Sequence, residues 1–167
     1  MAESFTNRNT LAIQAVKYWL PVLLMLGAMY YFSTDVLSGD NTASMLEKIL
    51  GWFIAEPSER LIRGLNYGLR KFMHFFEYAI LAGLLFRAFR AENPTRWQLR
   101  WAVYSFAVVT IWAALDEYHQ TTTSDRTGSV RDVLIDVAGG FFMLAGIAYF
   151  YKRKGRQEKS PESDQTT

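Results

Sequence analysis

The chain has 167 residues, of which 50% are hydrophobic, and it has a formal net charge of +2 and no cysteine. The lack of cysteine excludes disulfides, a thiol nucleophile and cysteine-rich metal sites. The small net charge, without a basic groove carrying interleaved aromatic residues, argues against a nucleic-acid partner.

Four apolar segments predict membrane-spanning helices, although the mean hydropathy of the whole chain is close to zero. They cover about residues 18–34, 66–86, 99–115 and 133–151. A helix needs roughly 20 residues to cross hydrocarbon. These shorter segments reach that span if the helix tilts or if basic side chains at its ends extend to the interface. Aromatic residues cluster at the segment ends, where amphipathic rings prefer the interface. We therefore predict an all-α integral membrane four-helix bundle, with a single domain over residues 1–151.

The distribution of Lys and Arg predicts the orientation. Basic residues precede the first segment, fill the loop between the second and third, and follow the fourth: Arg8, Lys17, Arg87, Arg90, Arg96, Arg100, Lys152, Arg153, Lys154, Arg156 and Lys159. The positive-inside rule then places both termini in the cytoplasm and the loop between the first two segments outside. Residues 152–167 have no apolar period, and we expect a disordered cytoplasmic tail.

The outer loop contains an amphipathic pattern. Ser44 and Glu47 form a capping box, and an apolar stripe at helical spacing continues to Pro57. We predict a helix that lies flat on the outer interface and acts as a lipid-packed collar rather than a substrate gate. A further helix that starts after Pro57 would continue into the second segment.

Ionisable residues lie at a common depth in three of the four segments. They are His74 and Glu77 where the chain enters the second segment, Asp116 and Glu117 where it leaves the third, and Asp132 and Asp136 where it enters the fourth. Each such group costs roughly 2.5–3.5 kcal/mol on insertion scales, so a cluster of them predicts a shared polar site. With the predicted orientation, this site lies at the outer leaflet.

Further polar residues share a helix face with these ionisable residues. The second segment places its polar residues along one face, and these are Arg70, Lys71, His74, Glu77 and Tyr78. In the third segment Asp116, His119 and Gln120 recur at i, i+3 and i+4, whereas Glu117 is expected to turn away from them.

The start of the fourth segment has the pattern of a capped helix. Ser129 is predicted to cap a helix whose first turn contains Asp132, where the helix dipole favours negative charge. Gly139 and Gly146 follow the stripe of Asp132 and Asp136, and we expect them to allow close helix approach.

These motifs, taken together, resemble the VanZ-like family of small bacterial membrane proteins over roughly residues 70–151. They are His74-x-x-Glu77-Tyr78, Asp116-Glu117-x-His119-Gln120, Arg126-x-Gly-Ser129 and Asp132-Val-Leu-Ile-Asp136-x-x-Gly139. The resemblance implies a multi-pass protein of the bacterial cytoplasmic membrane with a role in the cell envelope. The family's named member is associated with low-level resistance to the glycopeptide teicoplanin, and the resemblance implies no reaction. One departure is the polar run Thr121–Asp125, where the family usually has an apolar turn with Pro and Gly.

Three classes of function remain open. An enzyme would use Glu77, Asp116 and His74 for proton transfer on a lipid-linked substrate, with Arg126 orienting its phosphate or carboxylate. A binding protein would hold an anionic membrane lipid or lipid-linked cell-wall precursor, or move it between leaflets. A structural protein would only pair these groups internally.

The candidate residues follow from these classes. Candidate catalytic residues are His74, Glu77, Asp116, Glu117, His119 and Gln120. Candidate substrate-binding residues are Lys71, Tyr78, Arg126, Ser129, Arg131, Asp132 and Asp136. The sequence leaves the cofactor unknown. We assign no metal ligand, because nothing matches a zincin helix, although His74, Glu77, Asp116 and His119 include the two i, i+3 pairs that a metal hypothesis would use. The cap position of Ser129 accounts for its hydroxyl without a nucleophilic role.

Overall fold

Five α-helices form in the residues that the computed structural model describes, which are 2–33, 39–54, 56–91, 93, 97–121 and 129–157. The helices are α1 (Ala2–Ser33), α2 (Gly39–Leu50), α3 (Glu59–Arg90), α4 (Leu99–Thr121) and α5 (Val130–Gln157). The described part of the chain contains no strand.

Four of these helices are long and apolar enough to cross a membrane. The spanning stretches are Ala12–Tyr31, Glu59–Arg90, Leu99–Thr121 and Val130–Gly155. Large apolar side chains cover their outer surfaces; Leu24, Ile111 and Phe142 are 65%, 61% and 63% exposed. A continuous apolar exterior of this kind suits hydrocarbon and not water. The predicted all-helical protein with four spanning-type helices is confirmed.

The two ends of the helix bundle differ in chemistry. At the polar end α3 and α5 begin and α1 and α4 end; there Arg70 bonds Gln120, and Tyr30 packs on His119. At the opposite, basic end, Arg87 donates to the carbonyl oxygen of Lys17. Consecutive spanning helices are therefore antiparallel, and α3 and α5 run parallel.

Helix α3 occupies the centre of the structure and contacts each of the other four helices. Its fully buried side chains Tyr78, Leu81 and Leu85 pack with Val22 of α1 and Val109 of α4. The apolar side chains at this level form one continuous core, which separates the polar residues within 70–77 of α3 from Arg87 and Arg90 at the basic end.

Glycine allows α5 to approach its neighbours closely. A Cβ atom at Gly139 would overlap the backbone carbonyl of Phe75 on α3, and one at Gly140 would lie 2.8 Å from Val109 Cγ1 on α4. The packing role predicted for Gly139 is confirmed. The same prediction for Gly146 is wrong, because a Cβ there meets nothing within 4 Å.

Helix α2 differs from the sequence prediction at both ends. It begins at Gly39, so Ser44 lies inside the helix and does not cap it. Residues 40–43 contain neither Gly nor Pro, so nothing in them stops the helix from extending. Helix α2 ends at Leu50, before Pro57, and α3 begins after that proline with Ser58 as its cap. The position of α2 on a membrane interface stays a prediction.

Helix α5 extends beyond the fourth predicted span. Disorder was expected from residue 152, but α5 continues to Gln157. Lys, Arg and Gln are good helix formers, and so the helix extends beyond its apolar part. Residues 158–167 lie outside the described residues.

Replacing Gly139 with Ala tests the close approach of α3 and α5. We expect Gly139→Ala to lower the free energy of unfolding by about 1–3 kcal/mol, because the new methyl group forces the two backbones apart. Gly146→Ala is the matched control, since the position is open. Thermal unfolding of both variants in one detergent measures the difference. Equal melting temperatures would contradict the close approach.

Candidate functional site

A network of polar contacts joins α3, α4 and α5 at the polar end. Lys71 and His74 on α3 face Asp132 and Asp136 on α5. Lys71 Nζ forms a salt bridge with the Asp132 carboxylate, and both side chains are at most 21% exposed. His74 Nδ1 lies 3.7 Å from Asp136 Oδ1, and Asp136 is only 2% exposed. Residues three apart on α3 thus meet residues four apart on α5, as expected for parallel helices in register.

A second group of polar contacts joins α3 to α4. Arg70 Nη2 donates to Gln120 Oε1 at 3.2 Å, and Gln120 Nε2 donates to Asp116 Oδ2 at 3.1 Å. Tyr78 Oη donates to the same Asp116 oxygen at 3.5 Å. Asp116 is therefore held by two donors, one from each helix.

Glu117 connects α4 to the start of α5. One of its carboxylate oxygens accepts the backbone N–H of Ser129, and the residue is 8% exposed. Glu117 turns away from Asp116 and Gln120, as expected, but it points toward α5 and not out of the bundle. Adjacent helical residues differ by about 100° in direction, so Asp116 reaches α3 while Glu117 reaches α5, and both are inward.

Ser129 caps α5 as predicted. Its hydroxyl accepts the N–H of Arg131 at 3.2 Å, and its carbonyl accepts the N–H of Asp132 at 2.9 Å. The side chain of Arg131 is exposed. The cap contact accounts for the Ser129 hydroxyl.

His119 lies apart from the other α4 candidates. Its ring centroid is 5.2 Å from that of Tyr30 on α1, so its side chain faces α1, whereas Asp116 and Gln120 bond to α3. Within the described residues no group of three or more His, Asp or Glu side chains is placed to hold a metal ion.

Glu77 and Arg70 are the other described candidates at the polar end. Glu77 is half-buried on α3, and no described residue forms a hydrogen bond or ion pair with it. Arg70 has only the neutral amide of Gln120 as a partner among the described residues. Arg126, together with the polar turn from residue 122 to residue 125, lies outside the described residues.

A family model described as VanZ/LLP1 matches residues 18–151. The chain belongs to the VanZ/LLP1 family. The match includes every candidate residue of the polar end, so it bears out the resemblance in the motifs. No curated protein matches the chain significantly, and no solved structure does so.

Arg70 is a residue of this VanZ/LLP1 protein that the sequence placed on the polar face of α3 but not among the site residues. Its position next to Lys71 on that face was the available signal. Tyr30 was assigned to the interface by its aromatic type alone, and only the packing of α1 against α4 reveals its contact with His119.

Replacing Glu117 tests the link between α4 and α5. Glu117→Leu removes the acceptor of the partly buried Ser129 N–H, and we expect a loss of about 1–3 kcal/mol in the free energy of unfolding. Glu117→Gln keeps an oxygen acceptor and should lose much less. Hydrogen exchange at the Ser129 amide, measured on both variants, locates the effect. Equal exchange in the two variants would show that the bond is absent.

Proposed function

We propose that this VanZ/LLP1 family protein binds an anionic, lipid-linked molecule of the bacterial cell envelope at its polar end. The observation that carries the proposal is the pairing of Arg70 with a neutral amide. The guanidinium is half-buried and bonded to Gln120, and no described carboxylate pairs with it. A guanidinium whose only described partner is a neutral amide is suited to a phosphate or carboxylate.

The order of charges along α3 supports an anionic headgroup. Arg70 and Lys71 lie near the polar end, whereas Glu77 lies about 10 Å deeper at a rise of 1.5 Å per residue. Arg131, which is exposed in the first turn of α5, adds a third positive charge near the same end. An anion that approaches from the membrane surface thus meets basic groups before it meets Glu77.

The sequence adds Arg126 to this proposal. Arg126 lies three residues before the capping residue Ser129 in the sequence and falls in the same motif. We propose that it and Arg70 bind the same anionic group, together with the predicted substrate-binding residues Lys71, Tyr78, Ser129, Arg131, Asp132 and Asp136. All of these six except Arg131 also take part through their side chains in the internal contacts described above, which would hold the site in position.

The proposed location is the outer leaflet of the bacterial cytoplasmic membrane. The basic residues at the other end of the bundle favour the cytoplasm for that end by the positive-inside rule, with both termini there. Helix α2 packs on α3, and its loop leaves Trp52 and Phe53 each 82% exposed. Exposed aromatic residues beside the polar end suit an interfacial helix that borders the site. In this proposal, an effect on teicoplanin susceptibility would follow if the molecule that occupies the site is a cell-wall precursor.

Native mass spectrometry of protein released from mild detergent tests the binding. We expect the wild type to retain an anionic lipid-linked adduct and Arg70→Ala to lose about tenfold in affinity, which corresponds to about 1.4 kcal/mol. Arg63→Ala is the matched control, because Arg63 lies on the same helix and forms only an exposed pair with Glu59. Arg126→Ala should lose the adduct as well.

Two further results separate binding from folding. Arg70→Lys keeps the charge and should keep most of the adduct, whereas a variant that merely unfolds loses its melting transition. An adduct that is equally abundant in the wild type and in folded Arg70→Ala would contradict the proposal. The polar residues would then be explained by internal pairing.

A second candidate function is proton transfer on the bound molecule, and it rests on Glu77. A half-buried carboxylate that no described residue pairs with, beside a bound substrate, has the character of a general acid or base. Asp116 and His74 are the other groups that we assign to such a reaction. In this reading the contacts of Asp116 with Tyr78 and Gln120 hold it in position.

The enzymatic candidate predicts a difference between the lipids that copurify with two variants. If Glu77 is the general acid or base for hydrolysis of the bound molecule by water, wild-type protein should carry the cleaved lipid of lower mass, and Glu77→Gln should carry the uncleaved molecule with similar occupancy. Glu59→Gln is the control, since Glu59 is exposed at the start of α3. Mass spectrometry of the extracted lipids makes the measurement. Identical lipid masses in all three proteins would remove the enzymatic candidate.

A further inference from the structure

Two cationic side chains share one aromatic ring at the basic end. Lys17 Nζ lies 5.1 Å from the ring centroid of Tyr18, and the guanidinium carbon of Arg87 lies 5.3 Å from the same centroid. Arg87 Nη2 also donates to the backbone oxygen of Lys17 at 3.3 Å. Residues of α1 and α3 thus hold two like charges close together.

No acidic side chain balances these charges in the described part of the basic end. The described side chains over 12–20, 84–91, 97–104 and 147–155 include no Asp or Glu. The basic ones are Lys17, Arg87, Arg90, Arg100, Lys152, Arg153 and Lys154. Because like charges repel, an anion bound between Lys17 and Arg87 would relieve a cost that the described residues leave in place.

The surface next to this pair is apolar on the membrane side. Leu20 is 46% exposed and Leu24 is 65% exposed, and both follow Lys17 along α1 toward the middle of the bundle. Trp19 packs edge-on against Phe89 with centroids 5.3 Å apart, which closes the other side of the α1–α3 contact. The charged pair therefore borders a surface that acyl chains can cover.

We propose that Lys17 and Arg87 bind the headgroup phosphate of an anionic phospholipid, whose chains lie along the apolar face of α1. This site is distinct from the polar end and belongs to the opposite leaflet. Basic pockets between spanning helices are a recurrent mode of anionic lipid recognition. Tyr18 is a positioning residue, because it orients both cations and does not itself carry charge.

The test compares two phospholipids on the full-length protein in mild detergent. Native mass spectrometry is carried out with equal amounts of dioleoyl phosphatidylglycerol and dioleoyl phosphatidylcholine. We expect the wild type to retain phosphatidylglycerol at least tenfold better, and Lys17→Gln to lose this preference. The matched control is Arg153→Gln, which removes the same charge from the exposed part of α5. It should keep the preference.

Folding and the other site are controlled separately. Lys17→Gln leaves the backbone acceptor of Arg87 in place, and Arg87→Lys should keep most of the preference, since it keeps the charge. Repeating the comparison in Arg70→Ala disables the site proposed at the polar end, so the result at the basic end stands by itself. Equal retention of both lipids by the wild type, or an equal loss in Lys17→Gln and Arg153→Gln, would overturn the site. Binding of inorganic phosphate with the same variant dependence but no lipid would overturn it also.

Discussion

The close approach of α3 and α5 at Gly139 is the constraint on which the polar end depends. A side chain at this position would collide with the backbone of Phe75 and separate the two helices. Asp132 and Asp136 have short side chains, and they reach Lys71 and His74 only across a narrow interface. The glycine thus fixes both the distance and the parallel register, and the α3–α5 contacts of the site follow from it.

The contacts that satisfy this site also limit what it can do. In a low-dielectric surrounding, buried ionic groups are costly, and a buried ion pair gains little over well-packed apolar residues of similar size. Four of the carboxylates have donors or a basic group nearby, which would be enough for a structural role. Arg70 and Glu77 are the exceptions in the described part, because the first has only a neutral partner and no described residue hydrogen-bonds or ion-pairs with the second. Internal pairing among the described residues does not account for these two charges, and the binding and catalytic proposals therefore rest on them.

The sequence predicts properties of single helices well and relations between helices poorly. Apolar length predicted four spans, and spacing predicted the polar face of α3 and the cap at Ser129. The contact of Glu117 with the start of α5 could not be predicted, because it depends on which helices flank α4, and periodicity within α4 does not contain that information. Gly139 and Gly146 look alike along α5, yet only the first meets α3. The end of α5 lies beyond the predicted span, because the polar residues that follow the apolar part are good helix formers.

The distance between the two proposed sites bears on whether lipid crosses through the protein. Arg70 and Arg87 lie about 26 Å apart along α3 at 1.5 Å per residue, close to the roughly 30 Å of a hydrocarbon core. Between them the fully buried side chains Leu81, Leu85 and Val109 are apolar. Ser105 is buried in the same region, but its hydroxyl bonds the carbonyl of Trp101 within α4. A charged headgroup would find no continuous polar path among these described core residues. The arrangement therefore favours separate binding in each leaflet over translocation between them.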